Sequence, residues 1–146
     1  MRRRAFLPLL CGRLLPSQET GRENQEIVDL VGRLAEALSD GSTERFMAQI
    51  ERSWEGHAEL ERNIRALLAQ VDVSSSVSVL RESGDEKARE VELDWMLELW
   101  NRTLAAHQER RRAKLTCRLE RRNGKWRIVA LEPVGFFGPR WADGGE

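Results

Sequence analysis

The sequence contains no tyrosine and only two cysteines among its 146 residues. The absence of tyrosine excludes a phenolic hydroxyl from any catalytic site. Cys11 and Cys117 do not have the spacing of a metal site, and removal of Cys11 with an exported leader would leave no disulfide. We therefore predict that Cys117 is a small core residue rather than a reactive thiol, and that the protein uses no metal or other cofactor.

Neither sign of charge is in excess, because 24 lysine and arginine residues balance 24 aspartate and glutamate residues. No overall field then favours nucleic acid or an anionic membrane. The apolar run near the N-terminus is too short to span a bilayer as a stable anchor. We predict no nucleic-acid partner and no stable transmembrane anchor for this chain, whose length is typical of one domain.

The N-terminus has the pattern of a signal peptide, a basic start followed by an apolar run. The segment Arg3-Arg4-Ala5-Phe6-Leu7 resembles the twin-arginine export motif, although Gly12 and Arg13 interrupt the apolar run and no small-x-small cleavage site follows. We predict that residues 1–22 are a signal-like or disordered segment of a periplasmic or secreted protein, and that residues 141–146 are a tail. A disordered N-terminus on a cytoplasmic protein is the alternative.

Residues 87–137 show the strongest pattern, an alternation of apolar and polar side chains with a period of two. We predict three antiparallel strands there, Lys87–Trp100, Arg112–Arg122 and Lys125–Phe137. One face of this sheet is an apolar wall that includes Trp95. The other face, pointing away from the core, mixes charged residues with four apolar ones, Met96, Trp100, Val129 and Leu131.

The dipeptide Asn123-Gly124 predicts a two-residue type I′ turn, since both positions of that turn need a positive φ. The turn sets Arg122 opposite Lys125, and continuing this register places Glu132 opposite Leu115 on the inner face. A carboxyl group there would be a candidate general acid or base. Alternatively, Glu132 lies hydrated at the end of the strand.

The first half of the chain predicts helices that precede the sheet. One extends from near Asn24 to near Gly41, Ser42 can cap a second, and a third covers about Gly56 to Gln70. A further strand, roughly Asp72 to Glu82, joins the helices to the other strands. Helices followed by an antiparallel meander indicate an α+β fold with the helices packed on one face of the sheet.

This order of elements resembles the NTF2-like superfamily, also called SnoaL-like or ketosteroid-isomerase-like, of cone-shaped α+β domains. Three segments carry the resemblance: Leu93-Asp94-Trp95, Gly124-Lys125-Trp126-Arg127-Ile128, and Glu132-Pro133 with Phe136-Phe137-Gly138-Pro139. The resemblance implies that residues 23–140 form a cone of N-terminal helices on a curved antiparallel sheet. It does not choose a function, because this fold hosts isomerases, dehydratases, cyclases, binding modules and association domains.

Catalytic members of the superfamily place an Asp or His base in the cone, often beside a Tyr, and that pattern cannot be transferred to a chain without tyrosine. The candidates for catalysis are Glu132 and His57, although His57 has no carboxylate or Cys at triad spacing and is expected at the surface. Asp94 points away from the helices by its strand position, so we expect it to form a cross-strand ion pair.

Five residues could line an apolar ligand pocket in the cone: Trp95, Leu115, Cys117, Trp126 and Glu132. We predict a non-catalytic module that binds a small apolar ligand or associates through its sheet face. Dimerisation through the outer face is common in the superfamily, so a homodimer is expected. The alternative is an isomerase-, dehydratase- or cyclase-type enzyme that acts on a small hydrophobic substrate in the cone pocket.

Overall fold

The computed structural model of this chain describes residues 24–102 and 108–139. Three helices come first: α1 (24–39), α2 (Thr43–Met47) and α3 (His57–Gln70). Four strands follow: β1 (Val71–Gly84), β2 (Ala88–Asn101), β3 (Gln108–Arg122) and β4 (Lys125–Glu132). The predicted export segment, residues 1–22, and the predicted tail, residues 141–146, lie outside the described residues, so the predicted location stays a prediction.

The four strands form one antiparallel sheet in the order β1-β2-β3-β4. The helices cover one face of it, and their apolar stripes join the inner side chains of the strands in a single core. The predicted α+β class, with the helices against a curved antiparallel sheet, is confirmed. No helix within the described ranges is long and apolar enough to cross a membrane.

The core is built by two periodicities that meet at the sheet. The inward side chains of β2 are spaced by two and are fully buried: Val91, Leu93, Trp95, Leu97 and Leu99. The large buried residues of α1 follow helical spacing: Ile27, Leu30, Val31, Leu34 and Leu38. At the centre, the ring centroid of Trp95 lies 6.4 Å from that of Phe46 and 5.1 Å from that of Phe137. Packed aromatic side chains therefore occupy the centre of the interior.

The turn between β3 and β4 confirms the predicted hairpin. Asn123 has φ 53° and Gly124 has φ 78°, as a type I′ turn requires. Arg122 pairs with Lys125. The register near the turn therefore follows from the dipeptide alone.

Farther from the turn, the predicted register is wrong because β4 contains a bulge. The pairing shifts by one residue at Arg118, which opposes Ala130, so Val129 is the extra residue. Beyond the bulge Glu132 opposes Thr116 instead of Leu115, and it is exposed. Leu131 turns inward and is fully buried, contrary to the prediction that it lies on the outer face. One inserted residue exchanges the two faces of the strand, and the bulge buries an isobutyl group in place of a carboxylate.

The strands also differ from the prediction at their ends. β3 begins at Gln108 rather than Arg112, and β4 ends at Glu132 rather than Phe137. Pro133 cannot donate a backbone hydrogen bond, and the chain turns into a short 3-10 helix, Val134–Phe137. This turn brings Phe137 into the core, where it is fully buried.

Candidate functional site

Four of the five predicted pocket residues belong to the buried core of the cone. Trp95, Leu115 and Cys117 are buried in the filled core, and Trp126 is 7% exposed at its edge. Glu132 lies outside the core because the bulge at Val129 shifts the register of β4 by one residue. The indole nitrogen of Trp95 donates a hydrogen bond of 2.8 Å to Ser75 Oγ, so its polar atom is satisfied within the protein.

Ionisable groups are scarce in this interior. Thr43 is the only polar residue among the buried ones in the described part of the chain, and the thiol of Cys117 is also fully buried. Burial raises the pKa of that thiol to about 12, so Cys117 is neutral at physiological pH. An uncharged thiol in an apolar core offers neither a base nor a nucleophile.

The two predicted catalytic residues lie in different clefts. His57, at the start of α3, lines a cleft of about 530 Å³ together with Arg52 and Arg127. Glu132 lines another cleft, also of about 530 Å³, beside Trp54. The structure therefore does not bring Glu132 and His57 together.

Arg127 serves a structural purpose in the His57 cleft. Its guanidinium donates hydrogen bonds to the backbone carbonyl oxygens of Ala48, at 2.8 Å, and Ile50, at 3.0 Å. It holds the segment after α2 against β4, where Ile50 forms a parallel bridge with Ile128. These partners are 77 to 79 residues away in sequence, so no local pattern indicates them.

Trp126 lies at the edge of the core against two guanidinium groups. The guanidinium carbons of Arg121 and Arg89 lie 4.7 Å and 5.7 Å from its ring centroid, within the range of cation–π contacts. Trp126 also lines a cleft of about 400 Å³ with Leu30 and Arg33 of α1. Sequence reasoning placed Trp126 in a pocket but gave no indication of its two arginine neighbours.

On the other side of the sheet, called the outer face, negative and positive side chains lie in separate rows on β2 and β3. Every outward acid of β2 belongs to an acidic row: Glu90, Glu92, Asp94 and Glu98. Opposite it, β3 contributes a basic row: Arg110, Arg112, Lys114 and Arg118. The two rows run side by side along the middle of the four-stranded sheet.

Two ion pairs join the rows. Asp94 receives two hydrogen bonds from the guanidinium of Arg112, at 2.8 Å and 3.1 Å, and Arg110 lies 2.9 Å from Glu98. The hydrogen bonds from Arg112 hold the pKa of Asp94 below its ordinary value of 3.8, and the charge of Lys114 acts in the same direction. The predicted cross-strand ion pair of Asp94 is therefore confirmed.

Two large apolar side chains lie within this charged face. Met96 has Ser76 on one side and Arg112 on the other, and Trp100 lies at the end of the same row of side chains. Both are half-buried. The neighbours on β1 are small serines, so the face is low and open beside Met96.

Comparisons with known proteins identify the architecture. No family model and no curated protein matches the chain. Solved structures do match: an NTF2-like protein with a cystatin-like fold from Novosphingobium aromaticivorans is 13% identical with a TM-score of 0.63, over 81% of this chain and 84% of that one. An NTF2-like superfamily protein from Salmonella enterica is 16% identical with a TM-score of 0.60, over 87% and 98%. The chain has the NTF2-like fold.

The NTF2-like fold alone does not assign an activity to this chain. A third similar structure is that of a hexachlorocyclohexane dehydrochlorinase, LinA type 2, which is 15% identical with a TM-score of 0.61 over 79% of this chain and 86% of that one. Proteins of unknown function and an enzyme thus share this architecture. The function has to be argued from the side chains of the present chain.

Proposed function

We propose that residues 23–140 form a non-catalytic association module whose outer face binds a second copy of the same chain. The observation that supports this proposal is the contrast between the two sides of the sheet. The inner side is closed by packed apolar side chains. The outer side presents Met96 and Trp100 among charges of which two opposite pairs are already joined within the chain, which lowers the cost of covering those four groups.

The outer face is large enough for a stable dimer. β2 has 14 residues, so at ~3.3 Å per residue it is about 46 Å long. Four strands at a spacing of ~4.8 Å give a width of about 19 Å. Because β4 has only 8 residues, the sheet is narrower at one end and its area is about 800 Å² per copy, the same as the ~800 Å² that each partner contributes to a standard interface.

The alternatives have less support. Of the two predicted catalytic residues, Glu132 is exposed outside the core and His57 lines a different cleft. The ligand pocket predicted inside the cone stays a prediction, and of its residues Trp126 also lines a cleft of about 400 Å³, a volume sufficient for a small molecule. Arg33 and Lys125 also line that cleft, which is a poor match for a purely apolar ligand.

Light scattering of the purified chain tests the proposal. We expect the wild type to have about twice the chain mass of 16.8 kDa at micromolar concentration. Met96→Glu places a carboxylate near the middle of the covered face and Trp100→Glu places one at its end, so both variants should be monomeric. Val28→Glu is the matched control, because Val28 is an exposed apolar residue of α1.

The control variant should remain dimeric, and circular dichroism should show that all three variants are folded. A wild-type chain with the mass of one copy would show the proposal to be wrong. So would loss of the dimer in Val28→Glu with its retention in the two variants of the outer face.

A further inference from the structure

We infer that the two-fold axis of the dimer runs parallel to the strands, so that the acidic row of one copy faces the basic row of the other. This inference rests on the proposed function, and it concerns the orientation of the partner. Its basis is the arrangement of charge on β2 and β3. Between Gln108 and Leu119 the outward side chains of β3 include no acid, and the outward side chains of β2 include no base.

Symmetry restricts how such a face can meet itself. A homodimer interface brings one patch against the same patch through a two-fold axis. The middle of the sheet lies between β2 and β3 because the strand order is β1-β2-β3-β4. An axis parallel to the strands exchanges left and right, and therefore places β2 of one copy over β3 of the other.

An axis across the strands gives the opposite result. It places β2 over β2 and β3 over β3, so that each row meets a row of its own sign. Like charges facing each other across an interface select against that arrangement. Of these two face-to-face arrangements, the charges favour the axis parallel to the strands.

Three charged side chains of these rows form no salt bridge with a described residue of their own copy and are available to pair with a second copy. Lys114 and Arg118 of the basic row form no salt bridge with any described residue, and neither does Glu90 of the acidic row. Glu90 and Arg118 are register partners within one copy. Rotation about an axis parallel to the strands leaves each residue at the same position along the strand direction. Glu90 of one copy therefore faces the position of Arg118 in the basic row of the second copy.

The dependence of the dimer on salt is the first test. Acidic rows that face basic rows attract, so the Kd should rise with ionic strength. We expect a rise of about tenfold or more between ~0.01 M and ~1 M salt, where the screening length falls from ~30 Å to ~3 Å. A Kd that falls with added salt would indicate like charges face to face and would overturn the orientation.

Chemical cross-linking supplies an independent readout in a Cys11→Ser background, where Cys117 is buried. Glu90→Cys mixed with Arg118→Cys should link between copies through a short bismaleimide, because facing sheets lie ~10 Å apart and a disulfide cannot reach. A mixture of Glu90→Cys and Glu98→Cys should not cross-link between copies. The proposed axis keeps each residue at the same position along the strands, and eight residues along a strand span about 26 Å.

The two kinds of failure can be told apart. A sample that is dimeric by light scattering but links Glu90→Cys to Glu98→Cys, or that fails to link Glu90→Cys to Arg118→Cys, overturns the orientation and leaves the association module in place. A sample that is monomeric in every condition overturns the proposed function itself. Val28→Cys serves as the unlinked control on the helical side.

Discussion

At the scale of single residues, the thiol of Cys117 couples folding to alkaline pH. Its pKa is raised by burial from 9.0 to about 12, so between these values the folded chain holds a proton that the unfolded chain has released. The folded state then binds more protons, and its free energy of unfolding falls as the pH rises through this range. Below pH 9.0 the group is neutral in both states and contributes no pH dependence.

We predict that Cys117→Ala flattens this dependence. The variant should start less stable at pH 8, because it loses a buried sulfur atom, but should lose less of its unfolding free energy between pH 9.0 and about 12. Urea denaturation at several pH values in a Cys11→Ser background measures the difference. Parallel curves for the two proteins would show that Cys117 does not carry the proton.

At the scale of one element, the turn between β3 and β4 depends on Gly124, which has free space around it. A methyl group added at Gly124 would meet no atom within 4 Å, so only the backbone conformation, with φ 78°, opposes a larger residue there. Gly32 in α1 is equally uncrowded but has helical backbone. The same substitution therefore separates conformational strain from steric clash.

We expect Gly124→Ala to destabilise the chain by ~1–2 kcal/mol, the cost of left-handed backbone in an L-residue. Gly32→Ala should stabilise it by up to ~1 kcal/mol, since alanine is the better helix former. The free energy of unfolding in urea measures both. Two shifts of the same sign would contradict the assignment of a type I′ turn.

The sheet was predictable wherever alternation and the turn acted together. β2 shows an unbroken period of two, and each of its predicted inward residues is buried. β4 could not be read to its end, because Val129 fits either a regular strand or a bulge. The choice is made by packing, which buries Leu131 and leaves Glu132 in water, and no local signal reports it.

The candidate sites were less predictable, because their contacts join distant segments. The acidic row could be read from β2 alone. The basic row required the start of β3, and alternation divides its arginine run: Arg111 turns away from Arg110 and Arg112 and donates to the backbone carbonyl of Phe136 at 2.8 Å. The arginines around Trp126 also come from different strands, so their approach to its ring depends on the finished fold.

At the scale of the whole molecule, the two faces of the sheet differ in what covers them. The inner side is occupied by the aromatic cluster of Phe46, Trp95 and Phe137, in which the rings of Phe46 and Phe137 are 5.5 Å apart. A cone whose centre is packed in this way gains stability from its interior. The helices leave the outer face uncovered, and this is the face that we propose for association.

A cavity-forming substitution tests whether the interior of the wild-type chain contains an empty apolar pocket. Phe46→Ala should cost ~3–5 kcal/mol and leave an apolar void, and such voids bind benzene. Benzene should then raise the Tm of Phe46→Ala but not that of the wild type, because a ligand stabilises only a state that binds it. Phe136→Ala is the control, since the Phe136 ring is only partly buried and its removal leaves no enclosed space. A wild-type chain whose Tm also rises with benzene would have an open apolar pocket, and a small ligand in the cone would then replace association as the better supported function.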